Sequence, residues 1–276
     1  MTAPDTAAPR TRYRIDLAYD GSPFAGFARQ RDQVTVQGEV EAAATRLFGQ
    51  PVQLTGAGRT DRGVHAVAQV VHLEVDPTVP RAARASADLS ELRARLDQQV
   101  GRAITIWQVR RVPHRFDARF SATGRRYRYR LVDAPMADPI HRHDRWHLGE
   151  ALELTAMRAG ARHLIGEHEF ASFCRRAPGR TTVRRLHRLT LARPAPGRID
   201  VVLDAPAFCH QQVRSIVGCL VEVGRRRRHP GWIAEVLAAE DRQMAARVAP
   251  PHGLTLEQVR YGRAWPASPP VAVRAG

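Results

Sequence analysis

The sequence predicts an α+β protein, two fused αβ subdomains sharing a largely antiparallel mixed sheet with helices packed on it. Three observations predict it. Short runs of alternating apolar residues interleave with segments of helical spacing, a hairpin signal stands at Pro194-Ala195-Pro196-Gly197, and no repeat relates the halves.

The elements follow in order. Tyr13, Ile15 and Leu17 alternate as a strand that stops at Asp20-Gly21. Val36, Val40, Ala43, Ala44 and Leu47 keep helical spacing, and Gly49 ends that helix. Strands are expected near 51–55 and 67–75, a helix near 88–99 and a strand near 103–110. Pro113 marks the junction. The second half opens on GRRYRYRLV, whose alternation sets Tyr127 and Tyr129 on one face and arginines on the other. A helix near 150–165 follows, then strands over 181–192 and 198–204, helices over 209–223 and 231–240, and a strand over 254–261. The expected organisation is a disordered tail at 1–11, subdomains at 12–112 and 113–265, and a C-terminal tail at 266–276.

The chain has 276 residues, is 43% hydrophobic, and carries a formal net charge of +16 spread along its length. Such a charge attracts a phosphate-rich partner and releases counterions on binding, so nucleic acid is the leading partner class. All basic residues besides histidine are arginine, because the sequence contains no lysine. Lysine Schiff-base chemistry and a phosphate-loop lysine are thereby excluded. Cys174, Cys209 and Cys219 form neither a disulfide framework nor a zinc spacing, which fits a reducing cytoplasm. No secretory signal and no membrane-spanning run is present, so cytoplasmic localisation and no membrane partner are expected.

The run GAGRTDRGVHA, residues 56–66, holds the chemistry. It places one carboxylate, Asp61, between Arg59 and Arg62 in a glycine-rich loop. Flanking guanidiniums favour an ionised acid beside a polyanion, and glycines let backbone approach a ligand. A plain surface turn with an Arg–Asp pair is the competing interpretation of the run by itself. Asp61 has no acidic neighbour within ten residues, and the histidines lack carboxylates at ligand spacing, so no metal is expected. No GxSxG run exists for a serine hydrolase.

Two further groups read as RNA contacts. Arg125, Arg126, Tyr127, Arg128, Tyr129 and Arg130 interleave guanidiniums that can track a backbone with aromatic faces on which a base can stack. Arg225, Arg226, Arg227 and Arg228 follow a helix that ends at Gly224, where a helix C-terminus also welcomes cations. Arg214 stands in the apolar run QQVRSIVGCL and needs an anionic partner there. Asp61, Asp204 and Glu222 are the candidates.

Five motifs, in order and with matching gaps over about residues 12–262, resemble the bacterial tRNA pseudouridine synthase A family. They are YDGSPFAGFARQ at 19–30, GAGRTDRGVHA at 56–66, ARFSATGRRYRYRL at 118–131, GEHEFASF at 166–173 and AFCHQQVRSIVGCLVEVG at 207–224. The resemblance implies an isomerase without cofactor or metal that turns uridine into pseudouridine in the anticodon stem-loop of tRNA. It also implies a homodimer whose tRNA, anticodon stem-loop and body, lies across a basic cleft, with the active site in the cleft between the halves. The family's catalytic aspartate, its nucleophile, falls on Asp61. Attack on the sugar, attack on the base and removal of a sugar proton are the routes open to it. Arg59 matches the arginine of base flipping, Tyr127 the tyrosine that stacks on the target uracil, and Arg214 the basic residue that ion-pairs with the aspartate. Arg62, Arg125, Arg126 and Arg225 to Arg228 are candidate RNA contacts. A non-catalytic RNA-binding module and a metal-dependent nuclease are the rival readings.

The chain departs from that pattern at named places. Phe27 stands where the family usually has tryptophan; Asp97, Gln99 and Ser215 replace common asparagines; and Val100-Gly101 replaces a usual Leu-Pro.

Overall fold

The computed structural model describes residues 10–175, 179 and 181–262. Except for Arg10 and Thr11, the tails expected at 1–11 and 266–276 lie outside the described residues. The chain has the α+β class and the largely antiparallel sheet that the sequence predicts, in which Trp146–His147 pairs parallel with Ala122–Val132. It divides into two compact units.

The first unit takes residues up to Arg62, Ala66–Thr123 and the chain from Val259 onward. Its elements are β1 (Thr11–Tyr19), α1 (Val36–Phe48), β2 (Leu54–Gly56), β3 (His65–Val75), α2 (Pro80–Ala85), α3 (Leu89–Gln99) and β4 (Ile104–Val112). β1 pairs antiparallel with β3 and β4, Ile15 opposing Val71 on one side and Val109 on the other. β2 pairs antiparallel with β3. Thr35 caps α1 by accepting the Gly38 N–H at 3.2 Å, and Gly49, at φ +67°, closes it by donating to the Thr45 carbonyl. Buried Glu41 ties α1 to β2 by accepting the Leu54 N–H at 2.9 Å. Tyr13 stacks on Phe48 and donates to Ser86 Oγ at 2.7 Å, which fastens the start of β1 beneath the helices.

The altered 97–101 segment has a clear geometry. Asp97 accepts the Ile106 N–H at 2.7 Å, Val100 is buried, and Gly101 turns the chain at φ +77°. A carboxylate therefore anchors β4 to α3, and a left-handed glycine makes the turn. Sequence periodicity missed α2, whose PRAARA run has no apolar stripe; Pro80 at its first turn supplies the start.

The second unit takes Gly63–His65 and Gly124–Gln258. It contains β5 (Ala122–Val132), β6 (Trp146–His147), α4 (Leu154–Arg162), β7 (Gly166–Glu169), β8 (Val183–Leu186), β9 (Arg188–Ala195), β10 (Arg198–Ala205), α5 (Gln212–Gly224), α6 (Trp232–Ala239) and β11 (Leu254–Tyr261). The end of β11 belongs to the first unit. β10 pairs antiparallel with β5 and β9, and Gly197, at φ +70°, makes the expected hairpin turn. The strand expected over 181–192 is two: β8 pairs with β7, and the His187 N–H turns to the Asp204 carbonyl before β9 begins.

β5 alternates as expected. Tyr127, Tyr129 and Leu131 are buried, while Arg126 pairs with Asp204, Arg128 with Asp200 and Glu257, and Arg130 donates to Thr255. The helix expected near 150 starts only at Leu154. The Leu152 N–H is taken by Asp133 and that of Glu153 by the Gly224 carbonyl, so the preceding residues are held extended.

Candidate active site

The loop of Asp61 leaves β2 and returns into β3, and buried partners in the first unit hold it along its length. The Ala57 N–H bonds the Val70 carbonyl at 2.8 Å. Gln69, fully buried on β3, donates from Nε2 to the Gly58 carbonyl at 3.0 Å and to the Tyr19 hydroxyl at 3.4 Å. The Tyr19 phenol lies 2.8 Å from Thr60 Oγ1. Burial pushes the Tyr19 pKa up to about 12 against the pull of its bonds to Thr60 and Gln69, so the phenol stays protonated at any physiological pH.

A second side of the loop rests on residues 26 and 27. The Phe27 N–H donates to the Thr60 carbonyl at 3.1 Å. Gly26 has φ +125°, and a Cβ there would lie 3.1 Å from the Thr60 carbonyl oxygen and 3.3 Å from the Arg62 nitrogen. Only glycine combines that backbone angle with so close an approach. Phe27, 2% exposed, lies flat enough against Gly56 that a Cβ on Gly56 would fall 2.5 Å from its ring. The Phe27 position and Gly56 are thus matched in size.

What this packing presents is a half-buried Asp61 between two exposed arginines. Arg12, Arg14, Arg29, Arg110, Arg126, Arg128, Arg193 and Arg226 are each paired with an acid. Among the described residues neither Arg59 nor Arg62 forms an ion pair. Their guanidiniums are therefore available to an anionic or planar ligand.

In the second unit Tyr127 is 8% exposed, and Phe208 meets it edge to face with ring centres 5.2 Å apart. Tyr129, which shares its face, is a core residue: its hydroxyl donates to the Pro250 carbonyl at 2.7 Å. Burial pushes the Tyr129 pKa up, against the nearby charge of Arg214.

Arg214 stands in the first turn of α5, where the helix dipole disfavours a cation. Its Nε donates to the Ala249 carbonyl at 2.8 Å, and its own carbonyl accepts the Ala249 N–H at 3.1 Å. Gln211 before it takes φ +66°, a strained angle for a residue with a side chain, and delays the helix to Gln212. Of the other two acids considered for Arg214, Asp204 pairs with Arg126 and Glu222 with Arg225. Arg214 also lines a cavity of about 910 Å³ with Trp146, Glu222, Trp232 and Arg247.

The remaining basic candidates separate. Arg125 is buried and donates to the Pro206 carbonyl. Arg225 is 17% exposed and pairs with Glu150 at 2.7 Å and Glu222 at 3.1 Å. Arg226 pairs with Glu153 at 2.8 Å, Arg227 lies 3.7 Å from Glu222, and Arg228 stacks over Trp232. Three acids thus offset much of the charge that the RRRR run carries in sequence. Among the described residues no group of three or more His, Cys, Asp or Glu side chains is arranged to hold a metal, and no helix is long and apolar enough to cross a membrane.

Sequence reading passed over Tyr19, Gln69, Thr60, Gly26 and Phe208 as supports. Gln69 had one visible signal, an amide inside the apolar run AVAQVV of residues 66–71.

The family model described as tRNA pseudouridine synthase matches residues 17–121 and 161–262. The chain is 49% identical over 266 residues to the tRNA pseudouridine synthase A of Frankia casuarinae, which spans 96% of this chain and 93% of that relative. It is 44% identical over 277 residues to the protein of the same name from Streptomyces griseus, covering 98% and 94%. Against that of Mycobacterium leprae the identity is 40% over 268 residues, covering 95% and 93%.

Proposed function

We propose that this chain, which belongs to the tRNA pseudouridine synthase family of isomerases acting on tRNA uridine, converts uridines of the anticodon stem-loop, with Asp61 as its catalytic carboxylate and nucleophile. One observation carries the proposal. The Asp61 loop is fastened by Gln69, Tyr19 and the Phe27 N–H, and it holds an acid between two arginines that have no acidic partner among the described residues.

The reaction needs little else. The bond from sugar C1′ to uracil N1 breaks, the ring turns, a bond from C1′ to C5 forms, and the C5 hydrogen leaves as a proton while N1 gains one. Product and substrate are isomers, so no oxidant or second substrate enters. An ionised carboxylate serves each route, whether it attacks C1′, attacks the uracil ring or removes a sugar proton. The base must leave its stack to be reached. Arg59 is suited to fill the vacated space, and Tyr127 to stack on the extruded uracil, its ring fixed by Phe208. Arg214 is the partner proposed for Asp61, consistent with a cation placed where its own helix disfavours one. Arg62 is the candidate for phosphate contact. The enzyme acts as a homodimer on tRNA, in the cytoplasm and without a cofactor.

The test is tritium release from uracil C5 in labelled tRNA. Wild-type protein releases it, and Asp61→Asn binds the tRNA with near-native affinity and releases none. Equal release by the variant sinks the assignment of Asp61.

A further inference from the structure

Cys174 and Cys209 come from segments far apart in the chain, yet their thiols are hydrogen-bonded to each other in the second unit. Cys174 ends the turn after β7 in an extended conformation at φ −119° and ψ 146° and is buried; Cys209 lies in the loop entering α5 and is half-buried. The next residues along pair through their backbones, the Arg175 N–H donating to the His210 carbonyl at 3.0 Å. That backbone bond one residue along, together with the contact between the two thiols, sets the two segments side by side. The third cysteine, Cys219, is buried in α5 and accepts the Ala246 N–H at 3.3 Å.

We propose that Cys174 and Cys209 form a reversible intrachain disulfide on exposure to hydrogen peroxide, a modification site outside the isomerase chemistry. The pair is asymmetric in the way such a site requires. Cys209 is the more accessible thiol, and the hydrogen bond from Cys174 lowers its pKa, with the Arg184 charge pulling the same way. The bond to Cys209 and burial push Cys174 up. Cys209, whose S–H otherwise donates to the Thr182 carbonyl at 3.7 Å, is therefore the thiol that more readily gives up its proton and meets the oxidant. Its sulfur attacks one peroxide oxygen, an S–O bond forms, the O–O bond breaks and hydroxide leaves. Cys174 then attacks the sulfenic sulfur; the S–S bond forms, the S–O bond breaks, and the departing hydroxide takes the Cys174 proton as water. Two thiols lose two electrons and two hydrogens, and the peroxide becomes two waters.

The place of the bond gives it a consequence. Cys209 directly follows Phe208, which braces Tyr127, and its N–H is held by Gln212 Oε1 at 2.9 Å at the foot of the helix that carries Arg214. A disulfide there tethers that loop to the end of β7.

The full-length reduced protein, treated with stoichiometric hydrogen peroxide, is read by intact mass and peptide mapping. The expected result is the loss of two hydrogens and one linked peptide pair containing Cys174 and Cys209, reversed by dithiothreitol, with Cys219 still open to alkylation after unfolding. Cys174→Ser is expected to stop at a Cys209 sulfenic acid that dimedone captures. Wild-type protein that gains oxygens on Cys209 while Cys174 stays alkylatable, or that keeps all three thiols, overturns the proposal. The wild-type map decides the matter even where the serine variant folds poorly.

Discussion

The Tyr19 phenol and Thr60 Oγ1 are 2.8 Å apart, a buried bond between the end of β1 and the residue just before Asp61. It fixes the loop that presents the acid without touching the acid. Tyr19→Phe removes the bond while keeping the ring, at a cost of about 1 kcal/mol and about 2–4 °C in Tm. The expected kinetic outcome is a lower kcat with an unchanged Kd for tRNA. A melting curve and single-turnover kinetics check both parts.

Gly26→Ala should be worse than its size suggests. The new Cβ would sit at φ +125° and 3.1 Å from the Thr60 carbonyl oxygen. Backbone strain of this kind costs about 1–3 kcal/mol, and relief of the contact shifts the Asp61 loop. Tm and turnover are expected to fall together, and retained full activity at a lowered Tm would separate the loop's position from catalysis.

Tyr127→Ala takes away the proposed stacking face. Base–aromatic stacking is worth about 1–3 kcal/mol, so the loss appears in kcat. The Kd for tRNA should move little, because phosphate contacts dominate affinity. Phe208→Ala leaves the tyrosine but loosens its ring, and an intermediate rate is expected from the same C5 tritium assay.

The arginine run after α5 and the arginines beside Asp61 should respond differently to salt. Affinity for tRNA is expected to fall steeply as salt is added. Arg62→Ala should reduce the slope of log Kd against log salt by about one, the signature of a lost phosphate contact. Arg226, already paired with Glu153 at 2.8 Å, is expected to neutralise no phosphate. Its alanine variant should keep the wild-type slope in the same filter-binding series.

Stability should drop on the acid side through His72. Its Nδ1 accepts the Ala118 N–H at 3.0 Å, so the folded state needs that nitrogen bare. Burial holds its pKa below the ordinary 6.5, outweighing the pull of Asp117 and Glu74, while Arg12 pushes the same way as burial. Between the folded value and 6.5 the unfolded chain binds more protons. The stabilisation is therefore complete above 6.5 and is lost as pH falls through the folded value. His72→Gln should flatten the acid limb of a plot of Tm against pH.

Strands with one buried face were legible because alternation records burial directly; β1, β5 and β11 fall where their apolar residues alternate or cluster. Elements set by capping or tertiary bonds were not. α4 starts late because Asp133 and Gly224 claim the N–H groups ahead of it, and β7, with the sequence GEHE, has no apolar pattern at all. The site divides along the same line. Asp61 and its arginines are contiguous and could be read, whereas Tyr19 reaches Thr60 from 41 positions away. The RRRR run looked like free charge because Glu153, its nearest relief for Arg226, lies 73 positions earlier.

The first unit is closed by residues that come last. Tyr261 donates to the Ala118 carbonyl at 2.7 Å, packs on Phe116 and lies under the guanidinium of Arg14. A chain emerging from the ribosome thus holds the Asp61 loop long before it holds the tyrosine that packs on Phe116 and Arg14. The second unit can collect itself from one nearly unbroken stretch while the first waits. Chains stalled short of Tyr261 would carry every catalytic candidate and still lack a finished first unit.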